Sequence, residues 1–236
     1  MLKFMCIGAQ KSGTTWLYRS LACHPSVYFP GGKEVHFWNA RYSVDGIDWY
    51  RDLFNEESCM CGGDITPAYA TLNKEMVAEI KKHYPELRVI FILRNPIERA
   101  WSSALMALER AELEIDEVSD QWFMDHFNSR GSLLRGDYTA TLNTWLTSFC
   151  SSRIKIILYE DIEKKPGEVL DACYSFIGVG PFVHDEIKIA EKVFKGNGAP
   201  LRRTLYAPLV KVYKEKIIEL SELLNVDLKD WFLKYQ

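Results

Sequence analysis

Three apolar runs confine what this chain can fold into. LKFMCIG (residues 2–8), LRVIFIL (87–93) and RIKIILYE (153–160) read as strands of the buried type rather than as the alternating pattern of a half-exposed sheet. Each leads into a helical pattern. TTWLYRSLACHP is stopped by Pro25, NPIERAWSSALMALER has Asn95 as cap and Pro96 at its first position, and PGEVLDACYSFIG ends at Gly178. Strands alternating with helices predict an α/β chain with a central parallel sheet flanked by helices. VYF at 27–29 adds a short strand and NKEMVAEIKKHYP a helix ending before Pro85. At the C-terminus, APLVKVYKEKIIELSELLN predicts an amphipathic helix, and Trp231 and Phe232 are expected to pack on the body of the protein. At 236 residues the chain suits one sizeable core, so a single domain spanning 1–236 is expected.

Composition excludes several classes. With 29 Lys and Arg against 32 Asp and Glu, the net charge of -3 gives no footprint for nucleic acid, so any anion site must be local. No apolar stretch approaches the roughly 20 residues of a membrane span. The N-terminal MLKFMCIGAQ enters its motif too early for a signal peptide, so a cytoplasmic location is expected. The six cysteines lack paired C-x-x-C spacing; Cys59 and Cys61 form a lone C-x-C, and reduced thiols without a metal are the expected state.

The loop after the first strand, in CIGAQKSGTTWLYRSL, spaces Gly8 and Gly13 as a nucleotide-phosphate loop does, at a strand's carboxyl end where α/β sheets bind ligands. It then has Thr14 and Thr15 where a nucleoside triphosphatase has Lys followed by Ser or Thr, and its only lysine, Lys11, sits inside the loop. Amides converging at a helix start would suit an oxyanion. The same residues also read as a tight turn capped by Ser12 or Thr14, with Lys11 in solvent. Arg94 ends the second apolar run with Ser102 in the helix beyond it, and an arginine there can clamp a phosphate or pair with Glu98. In GGKEVHFWN, an extended segment would set Glu34 and His36 on one face, as a general base beside an imidazole or as a surface pair next to a structural histidine.

Taken in order, GAQKSGTTWL, KEVHFW, GDITPAYA, LRNPIERAWSS, LLRGDYTATLNTWL, IKIILYEDI and KGNGAP resemble the sulfotransferases that use 3'-phosphoadenosine 5'-phosphosulfate (PAPS), in their glycan-modifying and bacterial branch. The resemblance covers nearly the whole chain and implies the P-loop-like sulfotransferase fold. It implies that Lys11, Ser12, Gly13, Thr14, Thr15 and Trp16 hold the 5'-phosphosulfate, with Lys11 stabilising the bridging oxygen. It assigns Arg94 and Ser102 to the 3'-phosphate, and Lys195, Gly196, Asn197, Gly198 and Ala199 to a loop closing over the nucleotide. Glu34 matches the general base, His36 a histidine near the acceptor hydroxyl, and Tyr138 a residue bordering nucleotide and acceptor. The product would be 3'-phosphoadenosine 5'-phosphate (PAP), with no metal required.

Two positions depart from the glycan-modifying pattern, Asn39 where an acidic residue is usual and Ile65 where a lysine is. Both lie on the acceptor side, so they count against a heparan-like acceptor and leave donor binding untouched; the acceptor expected is a hydroxyl of a sugar, lipid or small-molecule alcohol. Acceptor recognition is expected from HFWNARYSVDGIDWY and from ERAELEIDEVSDQWFMDHF, the latter as a flap or a solvated helix. The alternatives are a small-molecule kinase, for which IILYED would supply acidic metal ligands, and a non-catalytic nucleotide-binding relative. Oligomeric state is left open.

Overall fold

The computed structural model describes residues 1–55, 60–183, 189 and 199–236. Five strands form one sheet in the order β2-β3-β1-β4-β5: β1 Leu2–Gly8, β2 Val27–Tyr28, β3 Cys61–Ile65, β4 Arg88–Leu93 and β5 Ile154–Leu158. Every pairing is parallel, with Cys6 opposite Ile65 on one side and Ile90 on the other, and Leu93 opposite Leu158. The central β1 and β4 bury Phe4, Cys6, Ile90 and Ile92 completely, as expected for strands covered on both faces.

By its internal contacts the chain divides into two compact units, Met1–Leu93 with Asn143–Val193, and Arg94–Leu142 with Phe194–Gln236. The first holds the sheet with α1 (Thr14–Ala22), α2 (Tyr42–Leu53), α3 (Lys74–His83) and, after β5, the helices α7 (Tyr159–Lys164) and α8 (Pro166–Ile177). Its core joins Leu17 and Leu21 of α1 to Leu170, Tyr174 and Ile177 of α8. The second holds α4 (Pro96–Arg110), α5 (Asp120–Asn128), α6 (Arg130–Gly136) and the C-terminal helix Tyr206–Leu224. Asn95 caps α4 by accepting the Ile97 amide at 3.0 Å, and its own amide donates to the Trp231 carbonyl at 2.7 Å. Trp231 and Phe232 are buried, as expected.

One strand has no counterpart in the sequence expectation. Strand β3, CGGDI, has two glycines and an aspartate, all poor strand formers, and carries no apolar signal. Its glycines answer to packing. A Cβ on Gly63 would lie 2.3 Å from Phe4 Cζ, and one on Gly62 would lie 2.8 Å from the Met1 carbonyl oxygen. The segment for which a flap and a solvated helix were both open comprises the end of α4, a turn at Ile115–Glu117, and α5, whose Ser119 hydroxyl accepts the Trp122 amide. Phe123 and Phe127, four residues apart, bury one face of α5.

The described cysteines are free thiols. Burial pushes those of Cys6 and Cys173 up to about 12, which leaves them inert in the core. Cys59 lies outside the described residues.

Candidate active site

The loop after β1 is held at its start by the Ala9 amide, which donates to the Ile92 carbonyl at 2.8 Å. Lys11 (φ 67°) and Gly13 (φ 90°) then take left-handed backbone. For Lys11 this conformation costs about 1–2 kcal/mol, the sort of strain that persists where a site requires it. Gly13 is needed twice over, because a Cβ there would also come within 3.3 Å of Tyr159 Cε2.

Gly13 is the N-cap of α1, and no side chain caps that helix. The capped turn considered from the sequence is therefore absent. The first helical bond runs from the Leu17 amide to the Gly13 carbonyl, so the amides of Thr14, Thr15 and Trp16 precede the ladder and face the helix start. Ser12 is completely buried, and its hydroxyl has no hydrogen-bond partner among the described residues. An orphaned hydroxyl beside open helix-start amides and a lysine fits an anionic ligand, and so fits the phosphosulfate end of PAPS. Thr14 is buried and Thr15 partly exposed. The Trp16 side chain is committed elsewhere, with its indole N–H donating to the Ile189 carbonyl at 2.7 Å.

Glu34 and His36 come together by a route other than the extended segment expected. Both are left-handed, at φ 64° and 57°, so the chain turns instead of alternating. The Glu34 amide donates to the Ile65 carbonyl at the end of β3, at 3.0 Å. One carboxylate oxygen pairs with the Lys33 ammonium, and the other lies 3.5 Å from His36 Nε2. His36 Nδ1 meets Asn39 Oδ1 at 3.1 Å. The Glu34 and His36 side chains are each 42% exposed, which leaves the carboxylate reachable by an acceptor.

Behind this turn is a network that sequence reasoning missed. Asp64 of β3 is completely buried and accepts three hydroxyls: Tyr50 at 2.7 Å and Tyr69 at 2.8 Å on Oδ2, and Thr66 at 2.7 Å on Oδ1. Burial pushes its carboxyl above the usual range, and the three hydroxyl bonds oppose that shift. The Tyr69 oxygen also accepts the Phe37 amide at 3.0 Å. GDITPAYA contains both Asp64 and Tyr69, and because β3 carries no strand pattern the sequence holds no signal that Asp64 is buried.

The stretch expected to recognise the acceptor is part core and part surface. Phe37, Trp38 and Tyr50 are buried, and Phe37 stacks on Tyr50 with centroids 4.3 Å apart. Trp49, with the Arg41 guanidinium 4.0 Å from its ring centroid, is only partly buried.

In the second unit, Arg94 makes the pairing weighed from the sequence, with Nε and Nη2 each 3.5 Å from Glu98 Oε2. Burial raises the Glu98 carboxyl, but Lys234 and Arg94 outweigh it and the net shift is downward. The Arg94 carbonyl accepts the hydroxyl of the buried Tyr138 at 2.8 Å. Ser102 is partly exposed on α4. The Ala199 carbonyl accepts the Trp101 indole N–H at 2.8 Å, while Lys195, Gly196, Asn197 and Gly198 lie outside the described residues. Among the described residues no three His, Cys, Asp or Glu side chains form a candidate metal cluster, and no helix is long and apolar enough to cross a membrane.

The family model for the sulfotransferase domain matches residues 2–193. The chain belongs to the sulfotransferase family. Among curated relatives of this chain is the mouse bifunctional heparan sulfate N-deacetylase/N-sulfotransferase 4, 31% identical over 195 residues, covering 76% of this chain and 22% of that protein. The human bifunctional heparan sulfate N-deacetylase/N-sulfotransferase 2 is 28% identical over 198 residues, with 77% and 22% covered. The chain thus spans about a fifth of the length of these relatives. A sulfotransferase crystal structure from Alicyclobacillus acidocaldarius superposes with TM-score 0.77 and 25% identity, covering 98% of both chains. Mouse sulfotransferase SULT7A1 complexed with PAP shares the fold, at TM-score 0.61 and 18% identity over 99% of this chain and 88% of its own.

Proposed function

We propose that this chain transfers a sulfonate from PAPS to an acceptor hydroxyl, with Glu34 as general base and the Lys11–Trp16 loop as the phosphosulfate cradle. The observation that carries the reading is the buried Ser12 hydroxyl, without a hydrogen-bond partner among the described residues, in an uncapped helix start beside left-handed Lys11. PAPS supplies the sulfonate and leaves as PAP. Glu34 takes the acceptor proton as the acceptor oxygen bonds to sulfur, and His36 orients the carboxylate or the acceptor. The bond from sulfur to the bridging oxygen breaks with its electron pair on that oxygen, where Lys11, Ser12 and the Thr14–Trp16 amides neutralise the new charge. Stabilisation of this kind contributes about 3–4 kcal/mol per well-placed donor. Thr14 and Thr15, in place of a Lys-Ser/Thr pair, support this donor over ATP with magnesium.

Arg94 and Ser102, with Lys195–Ala199, are assigned to the 3'-phosphate side by resemblance, and Tyr138 supports Arg94 through its carbonyl. Two relatives carry heparan sulfate N-sulfotransferase names. Asn39 and Ile65 favour a hydroxyl acceptor on a sugar, lipid or small alcohol instead. In this reading residues 1–236 act as one sulfotransferase domain in the cytoplasm.

The test is calorimetric titration with PAP and with ATP plus magnesium, followed by incubation with labelled PAPS and a cell extract and mass spectrometry for products heavier by one sulfonate. PAP should bind preferentially, and Glu34→Gln should bind PAP normally while lowering transfer by about 10²-fold or more. Preference for ATP, or full transfer by Glu34→Gln, would refute the proposal.

A further inference from the structure

We propose that Asp64, acting through the Tyr69 hydroxyl, is a positioning device that holds the turn carrying Glu34 and His36. The inference rests on the reading of Glu34 as base. Phe37 opens the short π-helical turn Phe37–Arg41, with left-handed His36 as its N-cap and no side-chain cap. The amide of a first helical residue has no partner within its own helix, and Phe37 is completely buried, so water does not serve it. The Tyr69 oxygen does, at 3.0 Å.

An amide can only donate, so in this contact Tyr69 is the acceptor and its own proton must point elsewhere. It points to Asp64 Oδ2 at 2.8 Å. Asp64 is thereby read as the acceptor of all three hydroxyls around it, a role that an ionised carboxylate fills and an amide or protonated acid fills only in part. The direction of every bond in the chain Asp64, Tyr69, Phe37 follows from that one constraint. The Phe37 amide is one peptide unit from His36, and the Glu34 amide is tied to Ile65, the residue after Asp64. The base and the histidine are therefore anchored from both sides to the end of β3. Two non-glycine residues in left-handed backbone need such an anchor, because nothing in their own conformational preference keeps them there.

Tyr50 supplies an internal control. Its hydroxyl donates to the same Asp64 oxygen at 2.7 Å and is equally buried, but it bonds no backbone of the turn. Tyr50→Phe and Tyr69→Phe each remove one buried hydroxyl donated to Asp64 and keep the ring, and only Tyr69→Phe also leaves the Phe37 amide without its acceptor, so the two differ in the relay and in the stability that the relay contributes.

The experiment combines site-resolved amide exchange with release of labelled sulfate from 35S-labelled PAPS, with water as the acceptor. In the unsubstituted protein the Phe37 amide should be among the slowly exchanging amides, and fast exchange there overturns the proposal without any variant. Tyr69→Phe should speed Phe37 exchange by tenfold or more and lower kcat by tenfold or more, with KM for PAPS and affinity for PAP within twofold. Asp64→Asn should do the same. Tyr50→Phe should keep Phe37 protected and kcat within threefold. Indistinguishable Tyr50 and Tyr69 variants overturn the inference. If Glu34→Gln loses sulfate release while Tyr69→Phe keeps it, only the relay fails; if Glu34→Gln keeps release, the base reading fails and takes the relay with it.

Discussion

Replacing Ser12 with alanine should stabilise the ligand-free protein and weaken its hold on nucleotide. The Ser12 hydroxyl is completely buried with no partner among the described residues. A buried polar group left unsatisfied costs about 1–3 kcal/mol, and alanine removes that cost with almost no change in packed volume. For a chain of this length that corresponds to a rise in melting temperature of about 2–12 °C.

The bound state should move the other way. A hydroxyl donating to a phosphosulfate oxygen is a charge-assisted bond of about 1.5–3 kcal/mol, so Ser12→Ala should weaken PAP binding by about 10- to 150-fold. At a PAP concentration about 100 times the original Kd, ligand stabilisation is about 2.7 kcal/mol for the unsubstituted protein and would fall to about 0.3–1.4 kcal/mol for the variant. Differential scanning calorimetry with and without PAP reads both numbers. A ligand-free variant that melts below the original protein, or one that keeps its full PAP shift, would refute the assignment of Ser12 to the anion cradle.

Gly63→Ala should cost about 1–3 kcal/mol through the 2.3 Å clash with Phe4, lowering the melting temperature, whereas a variant melting like the original would show that the ring moves aside freely. Asp64→Asn should alter the pH dependence of stability. Because the folded carboxyl is raised above its unfolded value, the folded state binds the extra proton between those two values, and the Asp64 contribution to stability falls as pH rises through that window. Urea unfolding of both proteins from acid to neutral pH should show this as a negative slope in their difference, and a flat or positive slope would contradict it. Arg94→Ala should collapse the preference for PAP over adenosine 5'-phosphate, which lacks the 3'-phosphate; calorimetric titrations retaining that preference would remove Arg94 from the nucleotide site.

Much of the fold is legible because its signals are local. The strands β1 and β4 announce themselves as apolar runs, and Asn95-Pro96 starts a helix by capping and a preset φ, whatever surrounds them. Strand β3 is illegible for the opposite reason, since its glycines answer to the Phe4 ring and the Met1 carbonyl on the neighbouring strand. The site divides the same way. Lys11, Ser12 and Gly13 stand out by spacing, and Glu34 with His36 by their chemistry. The extended geometry expected for that pair was wrong, because the φ angles are set by anchors at Ile65 and Tyr69, which lie about 30 residues along the chain.

By itself the sequence determined a parallel α/β chain, the phosphate-type loop and the family resemblance, each read from short runs of residues and, for the resemblance, from the order of such runs along the chain. Only the tertiary structure decided which polar groups are buried and which are satisfied. That left the Ser12 hydroxyl without a partner among the described residues, gathered Tyr50, Thr66 and Tyr69 around Asp64, and buried Phe37, Trp38 and Tyr50. Burial and hydrogen-bond satisfaction depend on residues brought together from distant positions, and their energies exist only once those positions meet.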